Sequence, residues 1–210
     1  MYRTAYDALY GRKEKVSAVG VLINIVLCLL ALILAAEIIF SANYTGIYVI
    51  NRSMTPTFIG AESKDEPGGD YIYIKTGAKP DYGDVVVVYW EEQHENIIKR
   101  AIAFEGDTVK IERGQLMIKY YGAEDFEIIE ESYAVYNDPN KMVNNFAEHV
   151  VKEGGVFLLG DNRNESNDSR QNGDFLLKNV LGVVPQWSIK YKSFTTSWHK
   201  FFKFTLNGVT

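Results

Sequence analysis

The sequence predicts a mainly β fold, in which an antiparallel, barrel-like domain follows one N-terminal transmembrane helix. Two observations carry this prediction. A long apolar segment near the N-terminus contains no charged residue. After it come many short runs of β-branched and aromatic residues, separated by Gly, Asp and Pro, as in antiparallel β domains. We expect residues 1–15 to be cytoplasmic, residues 16–40 to form a membrane anchor, and residues 41–210 to form an extracytoplasmic β-rich domain.

The apolar segment from Val16 to Ala36 is long enough to cross a bilayer, because the hydrocarbon core is spanned by about 20 helical residues. The apolar part of a secretory signal peptide is shorter, about 7–15 residues. No clear small-x-small cleavage site follows the segment either. We therefore interpret it as an uncleaved signal anchor. A long cleaved signal peptide and a buried core helix are the alternatives.

Basic residues predict the orientation of this anchor. Arg3, Arg12, Lys13 and Lys15 precede it, whereas the first basic residue after it is Arg52. Because basic residues are enriched on the cytoplasmic side of membrane spans, the N-terminus is predicted to be cytoplasmic. The main domain is then predicted to lie on the outer side of the membrane.

Charge and cysteine content exclude several classes of function. The chain has 210 residues, a net charge of −5 and no basic stripe in its central part, so we expect no nucleic-acid partner. Cys28 is the only cysteine and lies in the apolar segment, which excludes an intrachain disulfide and a cysteine-based metal site in the domain. His94, His149 and His199 lack the spacing of zinc ligands. We therefore expect neither a metal nor a cofactor.

Strands are predicted where short apolar or alternating segments end in turn-forming residues. Val85–Trp90 is a continuous, mostly β-branched run, which is typical of a buried strand. Ile97–Phe104 and Thr108–Glu112 flank the turn Glu105-Gly106-Asp107. Outside the membrane we expect no strong helix, with at most one short turn at Asn144–Val151. The other predicted strands are Ile47–Ile50, Tyr71–Lys75, Gln115–Tyr120, Phe126–Ile129, Val156–Leu159, Leu181–Val184 and Ile189–Phe194.

The C-terminal tail interleaves aromatic and basic residues and allows two interpretations. Amphipathic aromatic rings beside lysines suit the headgroup region of a membrane, which would make lipid a partner of the domain. Alternatively, the tail is a terminal strand that packs its rings inward. The residues concerned are Trp187, Tyr191, Phe194, Trp198, Phe201, Phe202 and Phe204, together with Lys190, Lys192, Lys200 and Lys203.

Ser53 and Lys99 are the candidate nucleophile and base. A serine hydroxyl is a weak nucleophile unless a base removes its proton. Lysine can be that base only when neutral, so burial must lower its pKa from the ordinary value of about 10.4. Lys99 lies in an apolar run in which strand alternation places it on one face with Ala101. This setting predicts a neutral lysine, although the strand pattern by itself also allows a solvated surface charge.

Five short motifs follow one another along the chain. They are Ser53-Met54-Thr55-Pro56-Thr57, Gly83-Asp84-Val85-Val86-Val87, Lys99-Arg100-Ala101, Gly106-Asp107, and Gly160-Asp161-Asn162-Arg163 with the following Ser166-Asn167-Asp168-Ser169-Arg170. These motifs, in this order, resemble those of bacterial type I signal peptidases, the serine–lysine enzymes, in the compact form of Gram-positive bacteria. The resemblance extends from the anchor to about Val184.

The resemblance implies a membrane-anchored serine endopeptidase that removes N-terminal signal peptides from secreted preproteins after small-x-small sites such as Ala-x-Ala. Ser53 would form an acyl-enzyme, and Lys99 would take the serine proton and later activate the deacylating water. Ser166 matches the serine that orients the lysine. The backbone N–H of Ser53 would form part of the oxyanion hole. Asn51, where the family often has a small or hydroxyl residue, would complete that hole through its amide.

The resemblance also implies residues that support the site and bind substrate. Asp161, Asp168, Arg170 and Arg100 are expected to hold the geometry through salt bridges without a chemical part. An extended signal peptide is expected to pair with the strand before Ser53 and to place small side chains in shallow apolar pockets. Ordinary core packing is the alternative interpretation of the pocket residues. These residues are Ile47, Val49, Met54, Phe58, Ile97 and Ile98.

Other functions are compatible with parts of this pattern. A peptidase dedicated to one substrate, or a non-catalytic chaperone for the assembly of pilin-like surface proteins, is the main alternative. Loss of the serine or the lysine would mark the chaperone, and both residues are present. A self-cleaving serine–lysine protein of the repressor type would need a DNA-binding head in place of the apolar segment. The sequence predicts no oligomeric state.

Overall fold

The computed structural model of this chain describes residues 17–63, 68–136 and 145–207, with side chains as far as Phe201. Contacts divide the chain into two units, Met1–Asn43 and Tyr44–Thr210. The segment 1–15, predicted to be cytoplasmic, lies outside the described residues.

The first unit contains a 26-residue helix, α1 (Ala18–Asn43). Within the described parts of the chain, it is the one helix long and apolar enough to cross a membrane, and none of its residues is buried in the protein. Apolar side chains exposed all around a helix suit a lipid environment. This exposure argues against the alternative of a buried core helix.

The second unit is built from two antiparallel sheets. The first sheet contains β1 (Tyr44–Tyr48), β2 (Tyr71–Thr76), β3 (Val85–Trp90), β4 (Glu95–Phe104), β9 (Gly155–Leu159), β10 (Phe175–Leu176) and β11 (Val180–Val183). The second contains β5 (Thr108–Glu112), β6 (Gln115–Lys119), β7 (Glu127–Ile128) and β8 (Phe146–Val150). Their strand orders are β1-β2-β11-β3-β4-β9-β10 and β7-β6-β5-β8.

The predicted mainly β, antiparallel fold is confirmed. Most strands lie where the alternating or β-branched segments predict them, and β3 has the predicted limits. The order of the larger sheet ends at β1 and β10, so within the described residues its hydrogen bonds do not close it into a barrel. Among the described residues, β1 therefore has a strand neighbour, β2, on one side only.

One apolar cluster brings the two halves of the candidate site together. It contains Met54, which follows Ser53, and Ile98, which precedes Lys99. Because burial of a large apolar side chain contributes about 1.5–3 kcal/mol, these neighbours hold both segments against one core. The other members are Val49, Phe58, Ile72, Ile74, Val85, Val87 and Val184.

Two local predictions are wrong. The segment Ile189–Phe194, predicted as a strand, lies in the helices α3 (Gln186–Lys190) and α4 (Lys192–Asn207), so the prediction of no strong helix outside the membrane fails as well. The alternation of apolar and basic residues suggests a period of two. The wider spacing of Phe194, Trp198 and Phe201 follows a helical period instead.

The short turn predicted at Asn144–Val151 is also wrong, because this segment contains β8, which pairs with β5. Its polar residues gave no local strand signal. The pairing depends on a partner more than 30 residues away in the chain, and such tertiary pairing overrides local propensity.

Candidate active site

Ser53 and Lys99 are in hydrogen-bonding contact. The Lys99 Nζ lies 2.9 Å from the Ser53 Oγ and 3.0 Å from the carbonyl oxygen of Ile98. Only 4% of Lys99 and 8% of Ser53 is exposed. A hydroxyl and an amine in contact and away from solvent are the geometry that general-base activation of a serine requires.

The neighbouring strands explain the burial of Lys99. This residue lies in β4, between β3 and β9, and pairs with the fully buried Val86. Burial disfavours the ammonium form and lowers the pKa of Lys99 to about 8, although the carboxylates of Asp168, Glu95 and Asp161 partly oppose this shift. Near physiological pH the lysine is therefore still mostly protonated, but its neutral form is far more accessible than that of an exposed lysine.

The backbone before the serine makes a sharp turn. Asn51 has a φ of 68°, a left-handed conformation that asparagine tolerates better than most residues. Its backbone N–H donates to the Ala61 carbonyl at 2.8 Å. Within the described residues, neither the Asn51 side-chain amide nor the Ser53 N–H donates a hydrogen bond. Both groups therefore remain available as donors, the requirement for an oxyanion hole.

The third candidate, Ser166, lies next to the serine segment. Its Oγ is buried and has no hydrogen-bond partner among the described residues, so the expected bond to Lys99 is not formed in this structure. A Cβ on Gly160 would lie 2.2 Å from the Ser166 Oγ and 2.5 Å from the Ser53 carbonyl oxygen. Glycine is therefore required at position 160 for this close approach. The lysine-orienting role of Ser166 stays a prediction.

A buried ion pair joins the strand of Lys99 to the loop after β9, and a hydroxyl bonded to the same carboxylate adds the segment of Ser53. Arg100 donates from Nε and a terminal nitrogen to the two oxygens of Asp161, at 2.8 and 2.6 Å, and to the Gly83 carbonyl at 2.7 Å. The hydroxyl of Thr57 donates to the same carboxylate. The pairing of Arg100 with Leu159 in β9 explains this contact, because Asp161 follows two residues later.

Asp168 and Arg170 form the second predicted pair and brace the loop after β9. Asp168 caps the short helix α2 (Ser169–Asn172) and accepts from the Gly160 N–H at 3.0 Å. Arg170 donates from Nε and a terminal nitrogen to Asp168, at 2.8 and 2.9 Å, and to the Arg163 carbonyl at 2.7 Å. The four support residues thus form two separate ion pairs, Arg100–Asp161 and Arg170–Asp168.

Sequence reasoning missed a third ionic brace around Arg163. This residue is fully buried. It donates to both carboxylate oxygens of Glu131, to the Tyr136 hydroxyl at 2.7 Å and to the Gly160 carbonyl at 3.0 Å. Arg163 stands in the quoted motif, so that motif was an available signal. Glu131 and Tyr136 lie in a polar segment without any pattern that marks them.

The predicted pocket residues belong to the apolar core. Val49, Met54, Phe58 and Ile98 are buried in the cluster beside the dyad, and Ile47 packs against it. Ile97 packs instead against the cluster that contains Ala101. A separate cavity of about 420 Å³ is lined by Arg52, Thr55, Ile59, Gly60, Ala61, Glu62 and Gly68, none of which is among the six. The part of the six predicted residues in substrate binding stays a prediction.

In the described part of the chain, no group of three or more His, Cys, Asp or Glu side chains is arranged to hold a metal ion. The contact of Ser53 and Lys99 brings together a hydroxyl, an amine and backbone N–H donors. Such a set suits acyl transfer through a serine.

Comparison with known proteins gives one family. The profile of the family described as signal peptidase, peptidase S26, matches residues 22–189. The chain is 27% identical over 188 residues to signal peptidase I of Streptococcus pneumoniae, covering 74% of this chain and 86% of that protein. It is 31% identical over 170 residues to the probable signal peptidase I-1 of Synechocystis sp., covering 76% of this chain and 78% of that protein.

Among solved structures, the chain is similar to the crystal structure of a signal peptidase I from Enterococcus faecalis. The identity is 26%, the TM-score is 0.42, and the match covers 51% of this chain and 98% of that one.

Proposed function

Because the chain belongs to the signal peptidase family, peptidase S26, we propose that it cuts preproteins with Ser53 as the nucleophile and Lys99 as the base. Membership of this family makes the chain a membrane peptidase that removes signal peptides. The observation that supports the two residue roles is the buried contact of 2.9 Å between the Lys99 Nζ and the Ser53 Oγ.

The proposed reaction begins with proton transfer inside this contact. Neutral Lys99 accepts the hydroxyl proton while the Ser53 Oγ attacks the scissile carbonyl carbon. The tetrahedral intermediate then collapses, the C–N bond breaks, and Lys99 returns the proton to the leaving amine. That amine becomes the N-terminus of the mature protein, and the signal peptide remains bound as an ester of Ser53.

Deacylation uses the same amine a second time. Lys99 is again neutral after the amine has left, so it can take a proton from an attacking water. The resulting intermediate collapses with cleavage of the bond to the Ser53 Oγ, which takes the proton back from Lys99, and the signal peptide leaves as a carboxylic acid that ionises in water. Each half of the reaction leaves Lys99 as it began, which explains why one base suffices.

The proposed oxyanion hole consists of the Ser53 N–H and the Asn51 side-chain amide. Two observations support it: neither group donates a hydrogen bond within the described residues, and the left-handed turn at Asn51 lies two residues before the nucleophile. Such donors stabilise the charge that develops on the carbonyl oxygen. Removal of one donor in comparable sites lowers kcat by about 10²–10³.

We propose that the substrate adds to the open side of β1. This strand leads to Ser53, and β2 pairs with only one of its edges among the described residues. An extended peptide can complete the other edge through backbone hydrogen bonds, and alternate side chains then face the protein. Small residues at alternate positions, as in Ala-x-Ala, are the expected consequence of shallow pockets near the apolar cluster of Met54 and Phe58.

The experiment that tests this proposal uses a labelled preprotein with an Ala-x-Ala site and mass spectrometry of the products. Ser53→Ala and Lys99→Ala should each abolish cleavage, whereas Lys79→Ala, at an exposed lysine, should not. Circular dichroism of each variant checks that the fold is retained. Full activity of folded Lys99→Ala would rule out the proposed base. Wild-type function of Ser53→Ala in cells would favour the chaperone instead.

A further inference from the structure

The C-terminal helix α4 lies beyond the part of the chain that the family profile matches, which ends at residue 189. One side of this helix is fixed to β2. The Thr196 Oγ1 accepts from the Tyr71 N–H at 2.7 Å, and the Thr195 Oγ1 donates to the Tyr71 carbonyl at 2.6 Å. The His199 ring stacks on the Tyr71 ring with 3.8 Å between centroids. The helix is thus a packed part of the domain.

The other side of α4 presents large apolar rings to solvent. Phe194, Trp198 and Phe201 are 65%, 54% and 64% exposed. Their spacing of four and then three residues places them on one face of the helix. The rings of Phe194 and Trp198 stack on each other, with 5.9 Å between centroids. A contiguous exposed apolar patch on a folded domain indicates a surface that binds a protein, a ligand or a membrane.

The charge of this region indicates what the surface binds. From Phe175 to the C-terminus the chain contains no acidic residue, although its net charge is −5. The basic side chains of α3 and α4 include Lys190 and Lys200, which are both exposed. The lysines of this region are Lys178, Lys190, Lys192, Lys200 and Lys203. An apolar face within a segment that carries basic and no acidic residues suits an anionic membrane interface.

The connection between the apolar helix α1 and the β domain also favours a membrane as the binding partner of α4. The helix α1 is apolar along its length, and its last residue, Asn43, is followed directly by Tyr44 of β1. A domain attached to a membrane span without a linker stays close to lipid headgroups. Weak interfacial binding of an amphipathic helix is strengthened in such a tethered chain, because the effective lipid concentration is high.

We propose that α4 is a membrane-surface helix, which inserts Phe194, Trp198 and Phe201 into the interface of an anionic bilayer while the exposed Lys190 of α3 and Lys200 of α4 contact lipid headgroups. The opposite face of the helix stays bound to β2. A second copy of the chain is the competing occupant of the apolar face, and the experiment distinguishes the two.

The test uses the full chain in nanodiscs that contain phosphatidylglycerol and a lipid with a quencher on its acyl chain. The chain has three tryptophans, so Trp90→Phe/Trp187→Phe leaves Trp198 as the reporter. The matched control, Trp187→Phe/Trp198→Phe, leaves Trp90, which is 7% exposed. We expect the lipid quencher to remove most of the Trp198 emission and little of the Trp90 emission. If a double variant does not fold, the emission of Trp198 is obtained by subtracting the emission of Trp198→Phe from that of wild type, with and without the lipid quencher.

Two outcomes would overturn the insertion of the rings, and a third would overturn the preference for an anionic bilayer. Trp198 emission that responds to iodide in water and not to the lipid quencher would place the ring in solvent. Protection from both quenchers, together with a dimer in light scattering, would assign the face to a second copy. Equally strong quenching of Trp198 in discs of purely zwitterionic lipid would show that contacts between lysines and anionic headgroups do not contribute to binding.

Discussion

At the level of single residues, the proposed role of Lys99 as the base predicts that activity depends on pH. Because only the neutral amine accepts the Ser53 proton, kcat/KM should rise about tenfold per pH unit below pH 8 and become constant above it. A pH–rate profile for a preprotein substrate measures this directly. A rate independent of pH between mildly acidic and alkaline conditions would contradict a lysine base.

The same burial lowers the stability of the folded protein. Below pH 8 Lys99 is charged in both the folded and unfolded states, so the full cost of burying the charge is present. Between pH 8 and the ordinary value of 10.5 the folded state loses its proton while the unfolded state keeps it, so stability rises with pH. A pKa lowered to about 8 corresponds to roughly 3 kcal/mol.

We therefore expect Lys99→Met to abolish cleavage and to raise the free energy of unfolding at pH 7 by up to about 3 kcal/mol. The gain should shrink towards pH 10.5. Denaturant unfolding of the full chain in detergent at both pH values measures it, with Lys79→Met as the exposed control. A variant that is less stable than wild type at pH 7 would contradict the buried cation.

Asp161→Asn tests the ion pair that joins the strand of Lys99 to the loop after β9. Asp161 is fully buried and Arg100 is 7% exposed, so removal of one charge leaves the other uncompensated, at a cost of about 3–5 kcal/mol. The control is Glu62→Gln, which breaks the exposed pair with Arg52 and should change thermal unfolding little. Equal stability of the two variants would refute the bracing role of Asp161.

The proximity of Ser53 and Lys99 was easier to predict from the sequence than the contacts around them. Ser53 and Lys99 stand in ordered motifs, and the structure places their side chains in contact. The brace of Arg163 by Glu131 and Tyr136 was not predicted. Ion pairs between distant segments leave no periodic pattern, so a single acidic residue in a polar loop gives no sign of its partner.

At the level of elements, α4 reaches the nucleophile segment. The Lys192 ammonium donates to the Thr57 carbonyl and lies 3.5 Å from the Asp70 carboxylate, which also accepts from the Ile59 N–H at 2.9 Å. The helix therefore contacts the chain four residues beyond Ser53, and Lys192 is placed to position this segment.

Lys192→Met should lower kcat for preprotein cleavage by about tenfold, a loss of roughly 1.4 kcal/mol in transition-state stabilisation. We expect KM and the unfolding temperature to change little, because the contact is local and α4 keeps its bonds to Tyr71. Steady-state kinetics measures the effect, with Lys200→Met on the same helix as the exposed control. An equal kcat for the Lys192 and Lys200 variants would contradict a positioning role of Lys192.

Strands and helices differed in how far they could be predicted. The β-branched run of β3 is a local signal, and the structure has the strand at the predicted limits. The alternation of apolar and basic residues at Ile189–Phe194 gave the wrong period, because Lys192 and the threonines of α4 bind the serine segment and β2 rather than solvent. Contacts with distant strands decided the conformation there.

At the level of the whole molecule, the predicted orientation has a direct test. In a Cys28→Ser background, Tyr121→Cys replaces a side chain that is 83% exposed, and Thr4→Cys labels the N-terminal segment. The excess of basic residues before α1 predicts that a membrane-impermeant maleimide reacts with position 121 in intact cells. Position 4 should react only after permeabilisation, and the reverse pattern would contradict the proposed topology.

The sequence predicted the overall architecture more readily than the way in which the strands pair. One long apolar segment and many short strands predicted the anchor and the antiparallel domain. The division of the strands between sheets of seven and four depends on pairings such as β5 with β8. Those pairings are set by packing across the domain, which a single sequence does not display.

The one-sided pairing of β1 suggests a route to inhibitors. For the substrate path proposed above, a rigid strand mimic that completes the open edge of β1 would block the substrate without reacting with the serine. Its main contacts would be with backbone N–H and carbonyl groups, which every residue except proline supplies alike. Point mutations in β1 would alter such contacts little, so drug resistance would have to arise elsewhere in the protein.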